Sequence, residues 1–297
     1  MDSQIIKKYT SAGLIWKSAI HLAQKKCKEG KLLLELTEEV ENHVAKEGAE
    51  QAFPINLSIN EEAAHFTPKW NDTYALKESD VLKIDIGVHV DGYICDGAVT
   101  VNLDNKHAKE IEANELALEN AISVAKFGAE INKIGSEIEN TLKEKGFNPV
   151  YNLGGHGLDK YNIHFAPSIP NHAGASSAKL EEGAIAIEPF ASTGKGHVSE
   201  ITNVEIFALE KSSGVRNASA RIILKTAEKY NGLPFAERWL RNDSKLSELN
   251  FNFGLRELMK SSCFHCHPGL KETKGTIVTQ VEKSLLILED KTIILGE

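Results

Sequence analysis

Apolar and small residues recur at helical spacing over the first fifty positions. Leu14, Ile15, Ser18, Ala19, Leu22 and Ala23 form one stripe between Ser11 and Glu29, which predicts an amphipathic helix stopped by Gly30. A second helix is predicted from Thr37-Glu-Glu-Val40 to Gly48, so residues 3–48 read as helical nearly throughout. The period then changes. Phe53-Pro54 opens a loop and strand segment reaching His65, and Pro68 with Asn71-Asp72 marks a turn. Val81–Asn102 reads as two strands joined at Asp91-Gly92, the strongest short-range hairpin signal. Helical spacing returns over Lys106–Phe127 and over Ile131–Lys145, closed by Gly146. Tyr151–Asn171, rich in Gly, His and Pro, reads as irregular. Ala184–Glu188 is a short apolar strand ended by Pro189, and Val198–Leu209 is another strand region. Residues 215–262 read as three helices, Asn217–Tyr230, Pro234–Leu240 and Ser247–Ser262, before Gly275–Gly296 returns to strands. The pattern predicts one α+β domain, residues 1–208 and 269–297, interrupted by a helical insertion at 209–268.

The hairpin carries the first chemical signal. With Asp91 and Gly92 as its loop, Gly87 faces Asp96 and Asp85 faces Ala98. Side chains alternate along a strand, so Asp85, Gly87, Asp96 and Ala98 share one face. Asp85 and Asp96 become diagonal neighbours, roughly 7–8 Å apart at Cα. Two carboxylates so placed are solvated, share a proton or hold a metal.

Composition narrows the class. The 297 residues are 41% hydrophobic and 26% charged, as in an ordinary globular protein. A net charge of −8 argues against a general nucleic-acid-binding surface and against specific DNA recognition. Residues 216–260 run against that balance, with nine Lys/Arg and five Asp/Glu. No apolar run is long enough to cross a bilayer, and the N-terminus lacks the basic-then-apolar pattern of a signal peptide. Four cysteines in such a chain point to reduced thiols and the cytoplasm.

Further candidates lie in strands and loops. His156 sits in Leu153-Gly-Gly-His-Gly157, where flanking glycines let the backbone present the imidazole. His65 and His164 read equally as ligands or surface residues. Glu188 ends an apolar strand, and a carboxylate there is paired, protonated, metal-bound or simply reaches solvent. In Thr276–Leu288 the alternation puts Gln280, Glu282 and Ser284 on one polar face. Asp85, Asp96, His156, Glu188 and Glu282 together form a hard-to-borderline donor set, suited to a pair of divalent ions rather than a structural zinc.

The segments AFPINLSINEEAAHFTP, KIDIGVHVDGYICDGAVTV, NLGGHGLDKYNIH, AIEPFASTGKG, LPFAERWL and TQVEK, in this order and at these spacings, closely resemble the type 2 methionine aminopeptidases in their compact archaeal form. The resemblance covers essentially the whole chain. It implies the pita-bread fold, two pseudo-symmetric α+β halves around a metal pair, with a helical subdomain inserted between Glu188 and Glu282. It implies two divalent ions per chain (Co, Mn, Fe or Zn). Asp85 would hold one ion, Asp96 and Glu282 would bridge the two, and His156 and Glu188 would complete the other. A bridging water or hydroxide would attack the carbonyl after an N-terminal methionine, with Glu188 as proton carrier. His65 would contact the scissile amide and His164 the developing oxyanion. Phe53, Pro54, Asn56, Leu57 and Ile163 match positions at the methionine pocket. The implied substrates are N-termini of nascent polypeptides with a small second residue, acted on by a monomer. Separately, the basic helical block at 216–260 reads as a solvated helical face first and as a contact for ribosomal RNA second. Met1-Asp2 is itself a poor start for such an activity, so Met1 is expected to persist.

The chain departs from the family at Phe165-Ala166, where Ala-Gly is usual, at Lys283-Ser284, where His-Thr is usual, and at His267, where tyrosine is common. Cys263-Phe-His-Cys266-His267 invites a zinc reading, but no second cysteine pair is nearby. A metal-free binding module of the same fold would have lost ligands, and all five positions are intact. A prolidase or proline-specific aminopeptidase usually carries a large leading domain, and 84 residues precede Asp85.

Overall fold

Residues 1–174, 176–212 and 214–297 are described in a computed structural model. The alternating segment forms the antiparallel pair Val81–Val90 and Tyr93–Asn102, with Gly87 opposite Asp96 and Asp85 opposite Ala98. Asp91 (φ 52°) and Gly92 (φ 87°) both take the left-handed conformation that a two-residue hairpin turn needs. Asn56–Ile59 extends this sheet along Val81–Val90, setting Asn56 opposite Asp85.

Helix α1 (Ser3–Lys26) crosses the hairpin. Asp2 caps it by accepting from the Gln4 amide at 2.7 Å. Its buried face is Tyr9, Ala12, Gly13, Trp16, Ala19, Ile20 and Ala23. The predicted stripe is therefore rotated, and Leu14 stands 56% exposed. The reason is proximity: Ala and Gly on this face let the helix come down close to the sheet. Trp16 lies against Gly97, where a Cβ would sit 2.4 Å from the indole, and its Nε1 donates to the Gly97 carbonyl at 3.1 Å. Helix α2 (Leu33–Lys46) starts four residues before the predicted Thr37.

The second half is a five-stranded sheet in the order Thr292–Ile294, Lys283–Ile287, Gly183–Ile187, Gly154–Asp159, Asn162–Pro170. Helices α3 (Ala108–Val124) and α4 (Ile131–Glu144) bury Ala117, Ala121, Ile134, Ile138 and Leu142 in its core cluster, with Ile185, Ile187 and Leu285. The segment 151–171, predicted irregular, is thus mostly a strand pair. Its glycines hid the alternation while making the packing possible: a Cβ on Gly155 would lie 2.1 Å from the Ala186 carbonyl oxygen. The predicted strand 276–288 is two. Val278–Gln280 pairs with Phe190–Ser192, and Lys283–Ile287 pairs with Gly183–Ile187, so the chain changes sheets at Val281-Glu282.

Between the paired strands Ser199–Leu209 and Phe264–Lys271 lie α5 (Ala218–Ala227), α6 (Glu237–Ser244) and α7 (Glu248–Lys260). They bury Ile223, Leu224, Leu240, Phe251 and Leu258 in a cluster of their own. Helix α6 begins three residues after the predicted Pro234, because Phe235-Ala236 pairs with Ile206-Phe207 instead. Two basic residues of this block are spent on structure. Arg238 is 3% exposed, pairs with Glu41 of α2 and donates to the Thr67 hydroxyl at 2.9 Å. Arg241 pairs with Glu237 and donates to Asn252. Among the described residues no helix is long and apolar enough to cross a membrane.

Arg238→Ala strands the Glu41 carboxylate in a site whose burial already raises its pKa despite Arg238. A loss of about 3 kcal/mol is expected, read as a lower urea midpoint.

Candidate metal centre

The two halves meet at a cleft of about 710 Å³, and all five predicted ligands line it. Asp85 and Asp96 come from one face of the hairpin. His156 comes from the glycine-bracketed strand, Glu188 from the end of Gly183–Ile187, and Glu282 from the sheet-changing bend. Ligand atoms of Asp96, His156 and Glu282 lie within 4.8 Å of one another. His156 Nε2 is 3.7 Å from Asp96 Oδ2 and 3.9 Å from Glu188 Oε1. Asn56 donates to Asp85 Oδ2 at 3.2 Å. Gln280, unnoticed as a site residue in the sequence although it shares Glu282's polar face, donates to both Asp85 and Glu282 at 3.4 Å.

Hydrogen bonds hold the bend under the site. Ser284 Oγ donates to the Asp96 carbonyl and accepts from the Asp96 amide, both at 2.8 Å. Glu282 and Ala98 exchange backbone hydrogen bonds at 2.9 and 3.3 Å. The Lys283-Ser284 departure therefore has a place in the fold. Ser284 locks a ligand-bearing strand, and the Lys283 ammonium lies 5.0 Å from the Trp16 ring centroid.

The electrostatics are one-sided. Burial first, then mutual repulsion, raises Asp96, Glu188 and Glu282 well above the usual carboxylate range. Burial lifts Asp85 to about 6. Burial holds His156 down at about 3, so its imidazole is neutral at pH 7. Among the described residues, none that lines the cleft is Lys or Arg. Asp85 Oδ1, Asp96 Oδ1 and Glu282 Oε1 are buried without a hydrogen-bond partner. Buried anionic oxygens with no protein cation, beside a neutral imidazole, fit divalent ions.

His65 and His164 also line the cleft. His65 holds a positive φ of 64°, uncommon outside glycine, and its Nδ1 lies 3.1 Å from the Pro268 carbonyl oxygen. That contact makes Nδ1 the protonated nitrogen and leaves Nε2 as an acceptor. His164 stands at the cleft mouth, open to water yet walled by protein, its ring edge-on to His156 at 4.8 Å. The crowding protein atoms of the cleft wall, with His65 nearby, bring it to about 4. Of the predicted pocket residues, Phe53, Asn56 and Ile163 line the cleft. Pro54 is buried beside it, and Leu57, on the opposite face of its strand from Asn56, packs into the core. Tyr151, Ser168, His172 and Ile206 line it without having been singled out. Phe165, 47% exposed, and His267, both noted as departures, stand on the cleft wall.

The model of Metallopeptidase family M24 matches residues 7–219. A methionine aminopeptidase of Pyrococcus abyssi is 43% identical over 295 residues, spanning 98% of this chain and 99% of that one. One of Archaeoglobus fulgidus is 42% identical over 289 residues, covering 97% of each. The chain belongs to metallopeptidase family M24, with its methionine aminopeptidases. Solved structures agree on the fold. A methionine aminopeptidase from Thermotoga maritima superposes with a TM-score of 0.72 at 21% identity, covering all of this chain and 98% of that one. A thermophilic Arx1 gives 0.87 at 16% identity, covering all of this chain and 91% of that one. The architecture is the expected α+β pita-bread fold of this M24 family.

Glu282 tests the electrostatics. Its folded-state pKa lies well above its ordinary 4.5, so the folded metal-free chain keeps a proton that the unfolded chain releases. The stability this proton carries is present below pH 4.5 and is lost as pH rises through the folded value. Glu282→Gln removes that dependence. With chelator at pH 7.5 it should be more stable than the parent by about 1–3 kcal/mol, with no advantage near pH 4. Saturating divalent metal should reverse the order. Urea unfolding at both pH values, with and without metal, checks this.

Proposed function

We propose that this chain removes the N-terminal methionine from nascent polypeptides whose second residue is small, using a dinuclear divalent-metal centre. The observation that carries the reading is the convergence of Asp85, Asp96, His156, Glu188 and Glu282, with His65 and His164, in one cleft of a family M24 methionine aminopeptidase fold. Bound there, two ions chosen from Co, Mn, Fe or Zn would lower the pKa of a coordinated water and so supply a nucleophile at neutral pH.

The chain's own residues would do the rest. Asp85, Asp96, His156, Glu188 and Glu282 would hold the ions. Glu188, which must be ionised for the purpose, would accept a proton from the attacking water and return it to the departing amine. His65, with Nδ1 directed to Pro268, turns Nε2 toward the scissile amide. His164, neutral at pH 7, donates to the developing oxyanion. Phe53 and Ile163 give the methionine side chain an apolar wall, with Asn56, Pro54 and Leu57 supporting it.

Residues 209–268 act as an inserted subdomain on a monomeric catalytic domain, 1–208 and 269–297, working in the cytoplasm. Contact with the ribosome through this block rests on the exposed Arg221 and Lys225, since Arg238 and Arg241 are committed inside.

Met-Ala-Ser should be cleaved by the metal-loaded chain faster than Xaa-Pro or Leu-led peptides. Asp96→Ala should abolish cleavage, and His164→Ala should lower kcat by about 10²–10³-fold with little change in KM. Preference for Xaa-Pro peptides, or undiminished cleavage by Asp96→Ala, would overturn the reading.

A further inference from the structure

The strand Phe264–Lys271 carries a histidine pair that the proposed reaction does not use as such. His265 and His267 are two positions apart, so their side chains leave the same face of the strand. Cys266 between them packs against the core of the helical insertion, so the Cys-His cluster of the sequence is split across two faces. The two imidazoles meet edge-on, with centroids 4.7 Å apart and planes at 72°.

Each ring has one nitrogen in a telling state. Nδ1 of His265 lies 3.5 Å from Oε1 of Glu210, which leaves Nε2 as its remaining donor atom. Nε2 of His267 is buried without a hydrogen-bond partner. A carboxylate on the far nitrogen of an imidazole is the usual support of a metal-bound histidine. Two imidazoles bound to one ion through nitrogens at about 2.0–2.1 Å hold their ring centroids roughly 5 Å apart. The observed spacing of 4.7 Å is compatible with such a pair.

We propose that His265 and His267 form a second cation site, outside the carboxylate centre, for a borderline divalent ion such as zinc, nickel or copper. Glu210 orients His265, and water completes the coordination. The donors separate the two sites: oxygen dominates in the cleft, whereas the outer pair offers nitrogen alone, which manganese and magnesium favour least. His267 also lines the cleft and stands edge-on to His65, with centroids 5.7 Å apart. An ion on the outer pair sets a double positive charge beside His65, so its binding slows turnover.

Equilibrium dialysis of the full-length chain against rising free zinc tests this. The native chain is expected to bind one zinc more than His265→Ala, and to lose activity on Met-Ala-Ser in step with that last ion. His265→Ala, a change at a half-exposed surface residue outside the cleft, should keep its activity at low zinc. It should also need at least ten times more zinc for inhibition. Glu210→Gln should weaken the extra ion by about tenfold. Manganese in place of zinc should give equal counts for both chains. Equal zinc counts in native and His265→Ala chains would overturn the proposal. Because the count reads bound zinc, it stands apart from whether the chain cleaves methionine.

Discussion

Confinement of four carboxyl groups in one water-poor cleft is the constraint on which the rest of the structure turns. Asp85, Asp96 and Glu282 are buried, and each leaves an oxygen without a partner. No arrangement of four anions is stable at such distances unless protons or metal ions intervene. The raised carboxyl pKa values and the depressed value of His156 express the same fact from opposite signs of charge. A site built this way costs stability when empty of metal and gains affinity for that reason, the usual exchange between a strained active site and the fold that carries it.

Holding such a set together takes both halves of the fold. The hairpin supplies two carboxylates at a register set by its turn, while the five-stranded sheet supplies His156 and Glu188. The bend at Val281-Glu282 joins them. Thr100 and Gln280 exchange hydrogen bonds on one side of it, and Ser284 grips the Asp96 backbone on the other. These contacts fix the backbone that carries the candidate ligands, which is the preorganisation a metal centre would need. The insertion is anchored from outside, through the buried Arg238–Glu41 pair and the strand that carries His265 and His267.

Much of the site was legible in the chain because its signals are local. Asp91-Gly92 determines the hairpin register, and register determines that Asp85 and Asp96 share a face. Glycines around His156, Pro189 after Glu188 and the polar face at Gln280–Ser284 each mark a side chain that breaks an apolar run. The resemblance to a known family then joined these marks into one centre.

What stayed hidden was decided by neighbours distant in sequence. Helix α1 turned a different face inward because Trp16 and a row of small residues fit against Gly97. The segment 151–171 became strands because its glycines pack against the next strand's backbone, where period-two hydrophobicity leaves no trace. Arg238 left the basic surface because Glu41, 197 positions away, claimed it. Turn chemistry and residue type act within a few positions, so the chain alone settled the hairpin and its register. Burial, pairing and charge balance depend on which surfaces meet, and the tertiary structure alone could decide them.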